Sequence, residues 1–205
     1  MLGILGGTFD PIHFGHLRPA LEVQQALGLD EVRLIPLRDP PHRNQPLTTA
    51  DQRLLMLQAA IKELPSFSID TQELEREGKS YSVETLRSLR KEVGTKPICL
   101  LIGSDAFRQF HTWHKPDEIL QLAHLIVMQR PGDSKVDLTP LTADRVVKSP
   151  ESLTASPGGC ILFQTVTQLD ISSTAIRALI RNNQSPRYLL SDDVLEIIQT
   201  LKLYQ

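Results

Sequence analysis

The stretch Leu2-Gly3-Ile4-Leu5-Gly6-Gly7-Thr8-Phe9-Asp10-Pro11-Ile12-His13-Phe14-Gly15-His16 decides how this chain folds. Leu2 to Leu5 is an apolar run of strand length that ends on two glycines. Gly6 and Gly7 let the backbone turn tightly and approach a ligand with no Cβ in the way. Pro11 narrows the conformations of the loop that follows. His13 and His16 stand three apart at the start of a helix, so they share one face. Leu17, Ala20, Leu21 and Leu27 continue at helical spacing until Gly28 stops the helix.

The rest of the chain repeats this alternation. Strands are expected at Val32 to Pro36, Phe67 to Ile69, Ile98 to Ile102, Leu125 to Met128 and Ile161 to Val166. Between them, Thr48 or Thr49 caps a helix striped by Leu54, Leu57, Ile61 and Leu64 and ended by Pro65. A second helical face carries Val83, Leu86, Leu89 or Arg90, and Val93 and closes at Gly94, and Pro116 opens another that runs to about Ala123. Two helices finish the chain, one around Thr174 to Ile180 and one opened by Ser191-Asp192-Asp193. The segment from Asp133 to Gly159, rich in proline and glycine, is the poorest in regular structure and reads as a long loop or a small irregular insertion. Strands alternating with helices imply a doubly wound α/β fold, a mostly parallel sheet with helices on both faces. Ligands in such folds sit beyond the carboxyl ends of the strands, which directs attention to the loops after Leu5, Ile35, Ile102 and Met128.

At 205 residues and 40% hydrophobic, the chain can bury one sizeable core, so residues 1–205 are expected to form one domain with a C-terminal helical portion of about 172–205. A net charge of -2 argues against nucleic acid as a partner, because such proteins usually present a strongly basic face. No apolar run reaches the roughly 18–20 residues of a membrane span. Cys99 and Cys160, both in apolar surroundings, read as buried reduced thiols, and a cytoplasmic location is expected.

The loop after Leu5 carries the chemistry. A helix N-terminus attracts phosphate through its free N–H groups and dipole, and two imidazoles there add donors. Bound polyphosphate would push both toward the charged form. A dinucleotide fingerprint is excluded because its second glycine position is Thr8, and a P-loop because no Gly-Lys-Ser or Gly-Lys-Thr follows the glycines.

Gly6-Gly7-Thr8-Phe9-Asp10-Pro11 through His13-Phe14-Gly15-His16 resembles the first signature of the HxGH nucleotidyltransferases, and Ile171-Ser172-Ser173-Thr174-Ala175-Ile176-Arg177 resembles the second. Within that superfamily the chain is similar, over nearly its whole length, to the nicotinate-mononucleotide adenylyltransferases. Pro40-Pro41-His42-Arg43, Ser80-Tyr81-Ser82 with Thr85, Gly103-Ser104-Asp105, Thr112-Trp113 and His124-Leu125-Ile126-Val127 with Arg130-Pro131 support this.

The resemblance implies adenylyl transfer from ATP to nicotinate mononucleotide, releasing pyrophosphate. The attacking phosphate, with a second pKa of about 6, is mostly dianionic at neutral pH and needs no strong base. The resemblance assigns catalysis to His16, His13 and Arg177. It assigns ATP binding to Gly6, Gly7, Thr8, Phe9, His13, His16, Ser172, Ser173, Thr174 and Arg177. Acceptor binding falls to Arg43, Thr85, Gly103, Asp105, Trp113 and Arg130, with Trp113 stacking on the pyridine ring. No carboxylate cluster marks a protein metal site, so Mg²⁺ is expected to come with ATP. The expected partners are ATP and nicotinate mononucleotide, with homo-oligomerisation left open. Two alternatives stand beside this: transfer to another phosphorylated acceptor, and a catalytically silent nucleotide sensor.

Overall fold

The computed structural model describes residues 1–38, 45–129, 137–167 and 169–205. Its strands are β1 (Leu2–Gly7), β2 (Glu31–Pro36), β3 (Phe67–Ile69), β4 (Ile98–Gly103), β5 (His124–Gln129), β6 (Val146–Val147) and β7 (Ile161–Thr165). They form a single sheet in the order β3-β2-β1-β4-β5-β7-β6, and every pairing is parallel. The helices are α1 (Phe14–Leu27), α2 (Ala50–Ile61), α3 (Gln72–Glu75), α4 (Ser82–Val93), α5 (Ser104–Arg108), α6 (Pro116–Leu122), α7 (Pro140–Ala143), α8 (Ser173–Arg181) and α9 (Asp192–Thr200).

The strands read as near-continuous apolar runs because both faces of the sheet are covered. In β4, Ile98, Leu100 and Ile102 enter one core with α4 and α6, while Cys99 and Leu101 enter the other with α1, α2 and α9. A one-residue slip would exchange the two sets, so two differently shaped cores fix the register. Local signals set the helix ends. Gly28 takes the left-handed conformation (φ 60°) that ends α1, and Thr49 with Gln52 makes the capping box that opens α2.

The chain runs from β1 outward to β2 and β3, then crosses back to place β4 on the other side of β1. That reversal puts the topological switch point between β1 and β4, at the ends marked by Gly6, Gly7 and Gly103.

Two expectations need adjustment. Helix α2 ends at Ile61 instead of reaching Leu64, because Leu64 precedes Pro65 and a residue in that position is disfavoured in helical geometry. The chain turns instead, with Leu64 N–H donating to Ile61 O at 2.8 Å. Of the long loop or small irregular insertion expected from Asp133 to Gly159, the described residues 137–159 form the second: they hold α7, the two-residue edge strand β6 and a 3₁₀ turn at Pro150–Thr154. Two residues are too few to show a period in sequence. Cys99 is buried, with burial raising its thiol pKa to about 12, whereas Cys160 is only half-buried.

Candidate active site

The loop between β1 and α1 is shaped by a left-handed residue. Phe9 sits at φ 51°, a conformation unfavourable for a side chain of this size, and its ring is buried. Gly7 makes room for that ring, since a Cβ there would lie 2.8 Å from it. A Cβ on Gly6 would meet nothing within 4 Å, so the space above Gly6 is free for a ligand to approach the backbone.

His13 is the N-cap of α1 and is buried, with its ring centroid 3.8 Å from that of His16. The edge of Phe9 packs against His16 at 5.2 Å. Burial lowers the His13 pKa to about 4, so this imidazole is neutral at pH 7. Its Nδ1 is buried with no hydrogen-bond partner among the described residues. Gly15 lets the pair close: a Cβ there would lie 2.9 Å from the His13 ring and 3.0 Å from Ile171 O.

The second motif docks directly on the first. Ser173 Oγ donates to Pro11 O at 2.9 Å, and Arg177 Nη1 donates to Asp10 O at 2.7 Å. Ser172 caps α8, its Oγ accepting from Ala175 N at 3.1 Å, and Thr174 Oγ1 accepts from Arg177 Nη2 at 3.3 Å. The Ser173 hydroxyl is thus spent on the scaffold, whereas those of Ser172 and Thr174 accept in these bonds and keep their O–H donors, and α8 keeps free N–H groups in its first turn.

Beneath the loop lies a polar layer that sequence reading did not single out. The Asp10 carboxylate is buried and accepts from Leu47 N (2.8 Å), Thr48 Oγ1 (2.6 Å) and Tyr204 Oη (2.7 Å). Arg53, also buried, donates through Nη1 to Thr8 O at 3.0 Å and Leu37 O at 2.7 Å. The signal for Arg53 was its spacing, for it shares the buried face of α2 with Met56, Leu57 and Ile61. Nothing local signals Tyr204.

Of the residues assigned to the acceptor, Thr85, Gly103, Asp105 and Trp113 lie at the same end of the sheet but on the face of α4, α5 and α6. Thr85 is buried in the first turn of α4, and its hydroxyl donates to the buried carboxylate of Glu73. Burial raises the Glu73 pKa, against bonds from Thr85 and Ser80 that lower it. Tyr81, the N-cap of α4, stacks with His114 at 4.5 Å, which ties α4 to the segment carrying Trp113. Trp113 is half-buried beside Phe110, with centroids 5.6 Å apart. Gly103 caps α5, and Asp105 stands exposed in its first turn. Arg43 and Arg130 lie outside the described residues. His124 is structural: its Nδ1 accepts from Cys160 N at 3.1 Å, and its Nε2 lies 2.9 Å from Ser156 O. Burial lowers its pKa.

Among the described residues, no three or more His, Cys, Asp or Glu side chains come together as a metal-ligand group, and no helix is long and apolar enough to cross a membrane.

Strand order, the switch point and the paired histidines define a nucleotidyltransferase of the doubly wound α/β class. Residues 4–179 match the family model described as cytidylyltransferase-like. A protein of Methylococcus capsulatus named "Probable nicotinate-nucleotide adenylyltransferase" is 47% identical over 208 residues, covering 100% of this chain and 99% of the relative. A Pseudomonas putida protein of the same name is 44% identical over 209 residues, covering 100% and 94%. The chain belongs to the nicotinate-nucleotide adenylyltransferases of the cytidylyltransferase-like family. In fold it is similar to the Plasmodium falciparum nicotinic acid mononucleotide adenylyltransferase complexed with NaAD, with a TM-score of 0.74 and 17% identity over 99% of this chain and 96% of that one.

Proposed function

We propose that the chain transfers the adenylyl group of ATP to nicotinate mononucleotide, with ATP phosphates held between the His13–His16 loop and the N-terminus of α8. The observation that carries this is the direct docking of the two motifs, Arg177 on Asp10 O and Ser173 on Pro11 O. It gathers a fixed cation, two imidazoles and two helix N-termini around one loop. Each of these favours polyphosphate, and together they suit a reaction that needs alignment and charge neutralisation more than a base.

A phosphate oxygen of the acceptor attacks the α-phosphorus of ATP. The bond from that phosphorus to the bridging oxygen breaks, and pyrophosphate leaves with the electron pair. Arg177 and His16 offset the charge on the α-phosphate and the leaving group. His13 enters neutral, so it contributes an N–H donor first and takes up a proton only as phosphate compensates its burial. Mg²⁺ travels with ATP, held by its phosphates and water. The Asp10 carboxylate already accepts three bonds and is not free to serve as a ligand.

On the acceptor side, Trp113 stacks on the pyridine ring, and the first turn of α4 around Thr85 receives its carboxylate through backbone N–H groups. Gly103 and Asp105 face the ribose side. Backbone donors favour the anionic acid over the neutral amide.

The test is pyrophosphate release with ATP and each of nicotinate mononucleotide, its amide, phosphopantetheine and glycerol phosphate. Turnover should be fastest with nicotinate mononucleotide. No turnover with either mononucleotide refutes the assignment.

A further inference from the structure

The hydrogen bond from Tyr204 to Asp10 joins positions 194 apart in the chain and lies wholly inside the protein. Tyr204 itself sits at φ 66°, a left-handed conformation that a bulky residue adopts only when its surroundings compensate. Its ring is buried in the core with Leu203. Its hydroxyl meets the same Asp10 oxygen that accepts from Thr48 Oγ1. The backbone carbonyl of Asp10 receives Arg177. One residue thus links the C-terminal segment, the entry to α2 and the cation of the second motif.

We infer that Tyr204 is a positioning residue for the reaction: its hydroxyl fixes Asp10, and through the Asp10 carbonyl it fixes the Arg177 guanidinium. This rests on the reading of Arg177 as a phosphate-holding cation. The Phe9-Asp10 segment is strained at Phe9, so it relaxes unless its polar atoms are held. Leu47 N and Thr48 Oγ1 hold the carboxylate from the α2 side. Tyr204 is the holder that arrives from the far end of the sequence, beyond α9. Loss of its hydroxyl leaves the carboxylate with two donors from one direction, free to swing toward them. The carbonyl that seats Arg177 moves with it.

Tyr204→Phe removes only the oxygen. It is compared with wild type and with Tyr188→Phe, a control at a tyrosine that is 83% exposed. Steady-state kinetics, thermal midpoint and a cycle with Arg177→Lys are measured. The expected result is a kcat about tenfold lower in Tyr204→Phe, with KM for nicotinate mononucleotide within twofold and Tyr188→Phe unchanged. In the Arg177→Lys background the same substitution should cost less than twofold, because the link it breaks is already gone. An unchanged kcat with a lowered thermal midpoint makes Tyr204 a stability residue and overturns the inference. An equal loss in both backgrounds also overturns it. Should Tyr204→Phe fail to fold, Thr48→Val is carried through the same cycle: it removes a donor to the same Asp10 oxygen, so the same two outcomes decide. Inactivity of the wild type with every acceptor would instead refute the adenylyl-transfer reading itself.

Discussion

Gly15→Ala reverses an ordinary rule of helix design. At an unhindered helical position, alanine is more stable than glycine by about 1 kcal/mol. Here the new methyl carbon would lie 2.9 Å from both Cε1 and Nδ1 of His13 and 3.0 Å from Ile171 O. The carbonyl belongs to the segment that leads into α8 and cannot swing aside as a flexible tip would. The His13 ring is packed 3.8 Å from His16 in a buried setting. Overpacking of this kind costs about 1–3 kcal/mol, so the helix gain is offset and the net loss of stability is about 0–2 kcal/mol. Activity should suffer far more, because relief of the clash separates the two motifs or turns His13 away. A displacement of about 1 Å in a positioning group lowers rate about a hundredfold. Urea denaturation and pyrophosphate-release kinetics on the same preparation check both numbers. A variant that is stabilised and retains full kcat/KM refutes the contact geometry and the role given to the histidine pair.

Acid sensitivity follows from His13. Its pKa in the folded chain is about 4 against 6.5 for a free side chain, so below pH 6.5 the unfolded state takes up a proton that the folded state refuses. Stability contributed by this group is present above pH 6.5 and is lost as pH falls toward 4. At pH 4.5 the loss is about 2–3 kcal/mol. Denaturation at pH 7.5 and 4.5 should show wild type losing about that much more than His13→Asn, and equal losses would contradict a buried neutral imidazole. Trp113→Ala should raise KM for nicotinate mononucleotide about tenfold while leaving KM for ATP within twofold, since a stacked ring is worth about 1 kcal/mol beyond its area. An unchanged acceptor KM removes Trp113 from the site.

The fold was legible because its strongest signals are local. Unbroken apolar runs such as Ile98 to Ile102 mark strands covered on both faces, and Gly28, Thr49, Gly94 and Pro116 mark helix ends within a residue or two. What was not legible depends on distance or brevity. The β6 strand is two residues long and exists only because Ile161 and Leu162 offer it partners. The motif residues His13, His16, Ser173 and Arg177 were visible as patterns, and the structure adds the bonds that bring them together. The layer under them was not visible. Asp10 stands in the loop motif, Arg53 among the apolar residues of α2 and Tyr204 beyond the last helix, with no local pattern to pair them. Each is buried, and each acquires its partners only when the chain closes on itself. Glu73 is the same case on the other face, where it ties down the hydroxyl of Thr85.

The central claim is that the His13–His16 loop and the start of α8 act as one phosphate site, and single-turnover adenylyl transfer by His16→Ala tests it most directly. With ATP and nicotinate mononucleotide saturating, the rate should fall at least a hundredfold, on the scale of losing one preorganised donor to a developing charge, while the thermal midpoint stays within a few degrees of wild type. A His16→Ala enzyme that remains folded and turns over at near wild-type rate would contradict the claim.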